Sequence, residues 1–260
     1  DHEEKQYVPK PTVSDKVRVG WLGGSSHIKD LEILNGVFGR LHNERADKFQ
    51  TVLCGYDLRG TMTEMDQTTG EQKQRPIKPI ESVWYKYEQI FTNSHSIIDS
   101  EYKKELLEFK KKPISGDLNS VYRRVWTKPI TTYAANYNYF DVSLAPLKEH
   151  IFNKVKSQLK VIESGFHKKA LIAQDFGPYQ IDCINLFERG GKINPKGNSL
   201  LVDTSKNHKL WHRYTKYLID NPNAVIDLGE KLHETVYPKY SLKNITETRA
   251  EFYRELIRKS

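Results

Sequence analysis

The chain has 260 residues, enough for one large domain or two small ones, so length alone does not set the domain count. Its 41 Lys and Arg residues exceed its 33 Asp and Glu residues, which gives a formal charge of +8. This surplus attracts anions but is not the concentrated basic stripe of a nucleic-acid-binding protein, so we expect no specific nucleic-acid partner. Phosphorylated small molecules and an anionic membrane surface both fit the charge.

The two cysteines, Cys54 and Cys183, each lie in an apolar run, so we predict buried thiols and no disulfide framework. No apolar run approaches the length of a bilayer span, and no signal-peptide pattern opens the chain. These features predict a cytoplasmic protein, with peripheral contact at the inner face of the membrane as an open alternative.

Strands and helices alternate along most of the chain. A strand at 17–22, the glycine turn Gly-Gly-Ser-Ser, a helix at 29–45 and a strand at 49–55 form a predicted β-α-β unit. Residues 56–122 are interpreted as an insertion with a hairpin over 61–75 that turns at Thr69 and Gly70. The other predicted helices are 81–91, 102–111, 131–137, 154–165, 208–219, 224–236 and 244–257, and the other strands are 125–127, 140–145, 170–174 and 200–203.

This alternation predicts an α/β protein with a Rossmann-like open parallel sheet and helices on both faces. Ligands of such folds bind beyond the carboxyl ends of the strands. We expect residues 1–15 to be a linker, because they are polar with two prolines, and 241–260 to be a C-terminal helix. Residues 16–240 are the predicted Rossmann-like domain.

The predicted helix over 154–165 carries three lysines near its start. Asn153 is a suitable N-cap, and Lys154, Lys156 and Lys160 follow it in the first two turns. The helix macrodipole disfavours each exposed cation there by roughly 0.3 to 1 kcal/mol. An anion held by the lysines and the free amides would reverse this effect, and a diphosphate is a common occupant of such a position. Ser157 could add a hydroxyl donor.

Helical spacing places Lys156, Lys160 and Glu163 on one face of this helix. The neighbouring face, which we expect to pack, carries Val155, Leu159 and Ile162. A carboxylate about two turns behind a phosphate site is well placed to accept hydrogen bonds from ribose hydroxyls. The alternative is that Lys160 and Glu163 form an ordinary surface ion pair.

Three segments carry a resemblance to a known family. They are Asp-Val-Ser-Leu-Ala-Pro-Leu at 141–147, Phe-Asn at 152–153 with Lys-Ser-Gln-Leu-Lys-Val-Ile-Glu at 156–163, and Ala-Gln-Asp-Phe-Gly-Pro-Tyr at 173–179. They resemble the C-terminal, nucleotide-sugar-binding domain of GT-B glycosyltransferases of the "group 1" type. A weaker similarity continues through 197–203, and the match covers most of the chain except 56–122.

The resemblance implies specific roles for these residues. Lys156, Ser157, Lys160 and the nearby amides would hold the diphosphate of a UDP- or GDP-linked sugar, and Glu163 would bind the ribose. The turn facing the same phosphates or the sugar would be Gly23, Gly24, Ser25 and Ser26, although ordinary turns before helices also use glycine. The rim of the base or sugar site would be formed by Asp175, Gly177, Pro178 and Tyr179. Asp175 could equally be a helix cap.

One position departs from the family pattern. Many retaining members carry two glutamates separated by seven residues, and the first of these falls on Val155. Glu149 lies nearby at the wrong spacing, so retention or inversion of the anomeric centre stays open. The resemblance further implies that no metal or other cofactor is needed, and no His/Cys cluster has metal-binding spacing.

A GT-B enzyme has two Rossmann-like domains, and the N-terminal one largely supplies the acceptor site and the general base. The chain resembles only the second domain, so we expect a hexosyltransferase-like fragment that binds its donor but is inactive alone. The catalytic base is thus unknown and expected outside the chain. The implied acceptor is a glycan or a lipid-linked sugar in surface polysaccharide synthesis.

Two alternatives belong to other functional classes. A non-catalytic module could bind polysaccharide or nucleic acid through the basic face and the tyrosines. A nicotinamide oxidoreductase fits less well, because Gly-Gly-Ser-Ser lacks the G-x-G-x-x-G spacing. His27 lies in the glycine loop and could reach a phosphate, whereas His150 and His167 flank the proposed site helix. None of the three has a partner visible in the sequence, so we expect structural or solvated roles for them. The aromatic run at 84–87 is expected to form a satellite core rather than a glycan platform.

Overall fold

The computed structural model describes residues 15–57, 59–92 and 121–259. Of the predicted linker only Asp15 falls within these ranges, and the predicted helix at 102–111 lies outside them. Within these ranges, no helix has both the length and the apolar character needed to cross a membrane.

The centre of the molecule is a six-stranded parallel sheet in the order β5-β2-β1-β6-β7-β8. A separate antiparallel hairpin is formed by β3 and β4, and Gly70 in its turn has φ +71°. The strands are β1 Val17–Leu22, β2 Phe49–Tyr56, β3 Thr61–Met65, β4 Gln72–Pro76, β5 Tyr122–Trp126, β6 Val142–Ala145, β7 Ala170–Gln174 and β8 Leu200–Val202. This confirms the predicted Rossmann-like sheet and the hairpin.

Helices cover both faces of the sheet. They are α1 Ile28–Leu31, α2 Val37–Arg45, α3 Val83–Phe91, α4 Ile151–Lys154, α5 Leu159–Phe166, α6 Asn207–Asp220, α7 Pro222–Tyr240 and α8 Leu242–Lys259. A 3-10 segment, Ile130–Tyr139, replaces the predicted helix at 131–137. The predicted helix at 29–45 is broken at Gly36, whose φ of +78° is a left-handed conformation that ends one helix and allows the next to begin.

Alternate residues of the strands enter cores on opposite faces, as the pleat of a strand requires. In β7, Ile172 packs with Trp211 of α6 in the largest core, whereas Leu171 packs with Leu232 of α7 on the other face. The aromatic run at 84–87 joins that largest core: Trp84 and Tyr87 are buried there. These side chains are core, as expected, but they belong to the main core and not to a satellite.

The structure corrects the prediction of one continuous helix over 154–165. The helix α4 ends at Lys154 and α5 begins at Leu159. Asn153 is not an N-cap: its buried Nδ2 donates to Lys148 O at 2.8 Å and to Asp30 Oδ1 at 3.1 Å. His150 caps α4 by accepting from Phe152 N at 3.2 Å.

This break changes which side chains of the segment are buried. Val155 and Leu159, predicted to pack, are 77% and 52% exposed. Val161 is fully buried in their place, and Ile162 packs at the edge of the same core. Lys156 and Ser157 lie in the turn between the two helices. The predicted helical face therefore keeps only its second half, from Lys160 to Glu163.

Candidate functional site

The strand order places a topological switch point between β1 and β6. From β1 the chain moves outward through β2 to β5, and from β6 it moves the other way through β7 to β8. All six strands are parallel, so their carboxyl ends share one edge of the sheet. In open α/β sheets, ligands bind in the crevice at such a point. The loops after β1 and β6 therefore form the expected walls of a site.

The wall after β1 is the glycine loop, residues 23–27. Gly24, Ser25 and Ser26 are exposed, while Tyr87 of α3 supports the loop from below. The Tyr87 hydroxyl donates to Ser25 O at 2.9 Å and accepts from His27 N at 2.9 Å. Burial raises the pKa of Tyr87 to about 12, so its hydroxyl keeps the proton that it donates. A core aromatic residue thus fixes the conformation of an exposed loop.

The two walls are joined by Asp30 of α1. Its Oδ2 lies 2.9 Å from His27 Nδ1, and its Oδ1 accepts from Lys148 N at 2.8 Å and from Asn153 Nδ2 at 3.1 Å. Lys148 and Asn153 follow β6, whereas His27 and Asp30 follow β1. One buried carboxylate therefore holds both sides of the crevice together.

At the start of α5, Lys160 and Glu163 form a pair with two tyrosines. Lys160 Nζ donates to Tyr133 Oη at 3.1 Å and to Glu163 Oε2 at 3.2 Å, and Tyr137 Oη donates to Glu163 Oε2 at 2.6 Å. Burial favours the neutral amine, but the Glu163 carboxylate outweighs this, so the pKa of Lys160 is raised. The charged ammonium of Lys160 is held in place by its neighbours.

The Glu163 carboxylate is only 4% exposed, so it faces Tyr137 and Lys160 and not open solvent. This placement makes it a support for Lys160. Its contact with a ribose, which the resemblance implies, stays a prediction. His167 stacks on the Tyr137 ring with 4.7 Å between centroids, which gives this histidine the structural role expected for it.

The first turn of α5 has no side-chain cap. The N-cap residue, Gln158, makes no capping hydrogen bond, since its Nε2 donates to Tyr240 Oη at 2.8 Å. The first amides of a helix have no intrahelical acceptor, so those at the start of α5 are suited to an anion.

A cavity of about 670 Å³, the main cavity, opens at the carboxyl ends of β1, β2 and β5. Four predicted site residues line it together: Gly23, Gly24, Ser25 and Lys160. The remaining lining comes largely from residues after β2 and β5 and from α3, and it includes Asp57, Arg59, Trp84, Lys128, Tyr133 and Asn136. The structure thus brings the glycine loop and Lys160 to one cavity, although Gly23 and Lys160 are 137 positions apart in the sequence.

Asn136 is the residue of this cavity that sequence reasoning missed. Its side chain is 1% exposed, and within the described part of the chain neither Nδ2 nor Oδ1 has a hydrogen-bond partner. Burying an amide without a partner costs about 1 to 3 kcal/mol, so a water molecule or a ligand in the cavity is expected to complete it. No pattern in the sequence marks Asn136, because only the packing around it reveals that its amide is unsatisfied.

The other predicted residues lie elsewhere. Lys156, Gly177 and Pro178 line a second cavity of about 530 Å³, beside the turn that precedes α5. Ser26 and Ser157 are exposed and line neither cavity. Tyr179 is buried in the core under α5 and α7.

Asp175 is exposed and accepts from Gln180 Nε2 at 2.8 Å. It is not a helix cap, since Phe176 occupies that position.

The cysteines and the metal-binding side chains offer no further site among the described residues. Cys54 and Cys183 are free and buried, and burial raises the pKa of each thiol to about 12. Among the described residues, no group of three or more His, Cys, Asp and Glu side chains is placed to hold a metal ion.

Comparison with known proteins identifies the fold. No protein-family model and no curated protein sequence matches the chain. The chain is similar to the structure of a glycosyltransferase from Rickettsia africae ESF-5, at 14% identity and a TM-score of 0.54 over 95% of this chain and 50% of that one.

Two further structures are similar over comparable spans. An α,α-trehalose 6-phosphate synthase from Burkholderia multivorans matches at 12% identity and a TM-score of 0.51 over 94% of this chain and 43% of that one. HepE from Anabaena in complex with UDP matches at 12% identity and a TM-score of 0.50 over 93% of this chain and 49% of that one.

The chain has the Rossmann-like α/β fold of one half of a GT-B glycosyltransferase, which confirms the predicted resemblance at the level of the fold. It spans about half the length of these similar proteins.

Proposed function

We propose that the chain is the donor-binding half of a glycosyltransferase that uses a UDP- or GDP-linked sugar. The observation that carries the proposal is the buried, unpartnered amide of Asn136 in the main cavity, together with Lys160 and the glycine loop. A polar ligand with both donors and acceptors would satisfy this amide, and a phosphate group would complement Lys160. A cavity of this size at the carboxyl ends of parallel strands suits a nucleotide sugar.

In this proposal the diphosphate lies between the glycine loop and the start of α5. The acceptor hydroxyl attacks the anomeric carbon, the bond from that carbon to the diphosphate breaks, and the electron pair stays on the diphosphate. Lys160, the first amides of α5 and the neighbouring Lys156 and Ser157 stabilise the resulting charge. A base outside the chain takes the acceptor proton.

The proposal also covers the acceptor, the second domain and the location of the whole enzyme. The acceptor is a glycan or a lipid-linked sugar of a surface polysaccharide, and a second Rossmann-like domain binds it. No metal or other cofactor is required, because lysines and helix amides supply the positive potential that a divalent ion would otherwise provide. We further propose that the enzyme is cytoplasmic, with contact at the inner membrane face where the acceptor is lipid-linked.

Calorimetry with UDP, GDP and ADP tests donor binding. We expect one of these nucleotides to bind with 1:1 stoichiometry and to bind equally well in EDTA. Lys160→Ala should weaken binding roughly tenfold to hundredfold, the usual effect of losing a hydrogen bond to a charged group. Lys209→Ala is the matched control, because this exposed lysine of α6 lies outside both cavities.

A second variant separates ligand recognition from folding. Asn136→Leu replaces the unpartnered amide by an apolar group of similar volume, so the free energy of unfolding should stay constant or rise by about 1 to 2 kcal/mol. The same variant should lose affinity for the nucleotide. If instead all lysine variants weaken binding equally and moderate salt abolishes it, the chain is a polyanion-binding module and the proposal is wrong.

A further inference from the structure

We propose that His27 is a further diphosphate-binding residue of the donor site, and that Asp30 positions it and holds its proton. This inference rests on the proposed function, since it assigns a role within the same cavity. It adds a pH-dependent contact that neither the lysines nor the glycine loop would provide.

The geometry places His27 where a ligand can reach it. It is the last residue of the glycine loop, it lines the main cavity, and its side chain is 35% exposed. Nδ1 is engaged by Asp30 Oδ2 at 2.9 Å. Within the described residues Nε2 makes no hydrogen bond, so Nε2 is the ring nitrogen left for a ligand. A phosphate oxygen is the acceptor that a protonated imidazole favours.

Contacts with two core residues hold the His27 imidazole in place. The backbone amide of His27 donates to Tyr87 Oη, and the imidazole packs at the edge of the Trp21 ring with 5.9 Å between centroids. Tyr87 and Trp21 are themselves buried. The orientation of Nε2 is thus set before any ligand binds, and preorganised donors stabilise developing charge best.

Asp30 is arranged to keep an imidazolium ion. Burial raises the pKa of Asp30, but hydrogen bonds from His27 and from Lys148 N outweigh it, so the pKa of Asp30 is lowered. Asp30 is therefore an anion at neutral pH. Because Oδ1 is fixed by Lys148 N and Asn153 Nδ2, Oδ2 stays directed at Nδ1. The pair has the arrangement in which a carboxylate fixes the tautomer of a histidine and stabilises its charge.

Several charged and titratable groups besides Asp30 lie around His27. Lys156 lies close enough to Asp30 to lower its pKa. Tyr87 and Tyr179 stay neutral, since burial raises the pKa of both hydroxyls. The charged groups that line the same cavity are Asp57, Arg59, Glu81, Lys128 and Lys160. Asp57 pairs with Arg59, and Glu81 pairs with Arg75, which lies outside the lining. The acids of this set are paired with arginines, and Lys160 is paired with Glu163, so a bound diphosphate would add negative charge close to the ring and favour the imidazolium.

Two linked consequences follow for the reaction. Binding of the donor takes up a proton on His27, so affinity rises as the pH falls through the histidine range. When the bond between the anomeric carbon and the diphosphate breaks, the Nε2–H group donates a hydrogen bond to a diphosphate oxygen. His27 neither transfers its proton nor forms a covalent bond in this step.

Calorimetry with UDP-glucose and GDP-mannose at about pH 6 and about pH 8, on either side of the ordinary histidine pKa, tests the inference. The diphosphates of these probes are esterified at both ends, so they lack the phosphomonoester ionisation near pH 6. The protein should bind one probe about tenfold more tightly at the lower pH. His27→Gln should remove this difference and weaken binding, whereas His208→Gln, at an exposed histidine of α6, should retain it.

Asp30→Asn distinguishes a positioning role from a structural one. Asn Oδ1 can still accept from Lys148 N and Asn153 Nδ2, while its Nδ2 would donate to His27 Nδ1. His27 would then be neutral with a proton on Nε2, so it keeps the donor but loses the charge. We expect a flattened pH dependence and a smaller loss of affinity than in His27→Gln. A purely structural Asp30 would instead reduce affinity equally at both pH values.

An NMR titration gives an independent readout. The imidazole signal that disappears in His27→Gln should shift towards its protonated position when the wild-type protein binds a probe near neutral pH. If the wild-type protein binds a probe but His27→Gln keeps its affinity and its pH dependence, this inference is wrong and the proposed function stands. If neither probe binds the wild-type protein at either pH, both are wrong.

Discussion

At the residue scale, two glycines near the main cavity are present for different reasons. Gly55, at the end of β2, has φ +99°, and a Cβ there would lie 2.3 Å from Gly23 O. A side chain at Gly55 would therefore strain the backbone and displace the glycine loop. Gly24 has an ordinary backbone conformation, and a Cβ there would meet nothing within 4 Å. Folding therefore does not require glycine at position 24. A ligand that approaches the backbone closely would require it, because a side chain would occupy the same space.

This contrast gives a matched pair of substitutions. Gly24→Ala should change the free energy of unfolding by no more than about 0.5 kcal/mol, as for other unstrained surface changes. It should nevertheless weaken nucleotide binding, because the new methyl group would lie where the proposed diphosphate approaches the backbone. Gly55→Ala should lose roughly 1 to 3 kcal/mol of stability from backbone strain alone. Urea unfolding and calorimetry separate the two effects, and wild-type affinity in Gly24→Ala would argue against a diphosphate at the glycine loop.

At the scale of elements, His42 connects α2, α3 and β2. Its Nε2 donates to Phe91 O at the end of α3 at 3.0 Å, and its ring stacks on Phe49 of β2 with 4.8 Å between centroids. Nδ1 is buried and has no hydrogen-bond partner among the described residues. Since α3 also carries Tyr87, this junction supports the helix that holds the glycine loop.

The junction should make stability depend on pH. Burial lowers the pKa of His42, only partly offset by the hydrogen bond to Phe91 O, and Lys16 lowers the pKa further. The unfolded chain therefore binds a proton at a higher pH than the folded protein does. This contribution to stability is complete above about pH 6.5, the ordinary histidine pKa, and decreases as the pH falls below that value.

His42→Gln tests this contribution, because the Gln amide can still donate to Phe91 O but does not titrate. Urea unfolding at several pH values from about 7.5 down to about 5.5 should show a shallower decline for the variant than for the wild-type protein. His208→Gln serves as the control at an exposed histidine. An unchanged slope in His42→Gln would show that His42 does not titrate differently in the two states.

Local sequence patterns were sufficient for the sheet but not for every helix. The buried strand segments and the glycine turn predicted β1, β2 and the parallel sheet, because alternation and turn residues are local signals. The break between α4 and α5 was not predictable in this way. Next to the break, Asn153 of α4 donates to Asp30, a residue 123 positions away in the sequence, and no local pattern shows this contact. The spacing of the lysines over 154–160 predicts one continuous helix, although Lys156 lies in the turn between α4 and α5.

The site shows the same division between local and tertiary information. Gly23, Gly24, Ser25 and Lys160 were predicted from turn chemistry and from the family resemblance, and they line one cavity. His27 and Asp30 have the spacing of one helical turn, so their pairing is compatible with a local pattern in the sequence. Asn136 has no such pattern, since an unsatisfied amide is a property of the packed interior.

At the scale of the whole molecule, the parallel sheet has a topological switch point between β1 and β6. Asp30 joins the loop after β1 to the loop after β6 at this point. The main cavity supplies groups suited to an anionic ligand: Lys160 and the glycine loop. The acidic side chains that line this cavity form ion pairs: Asp57 pairs with Arg59, and Glu81 pairs with Arg75. A paired carboxylate is a poor proton acceptor, because its charged form is already stabilised.

We therefore expect residues 1–260 alone to bind a nucleotide sugar without transferring the sugar. The donor would be held and its leaving group stabilised, but the two carboxylates that line the main cavity among the described residues, Asp57 and Glu81, are both held by arginines and are poor bases for an acceptor hydroxyl. Release of UDP from UDP-glucose or of GDP from GDP-mannose, with simple sugars offered as acceptors, should be no faster than for Lys160→Ala. Turnover that is lost in Lys160→Ala but retained in Lys209→Ala would contradict this expectation. It would place the base within the chain, and an acid of the main cavity would then have to leave its arginine to accept the proton.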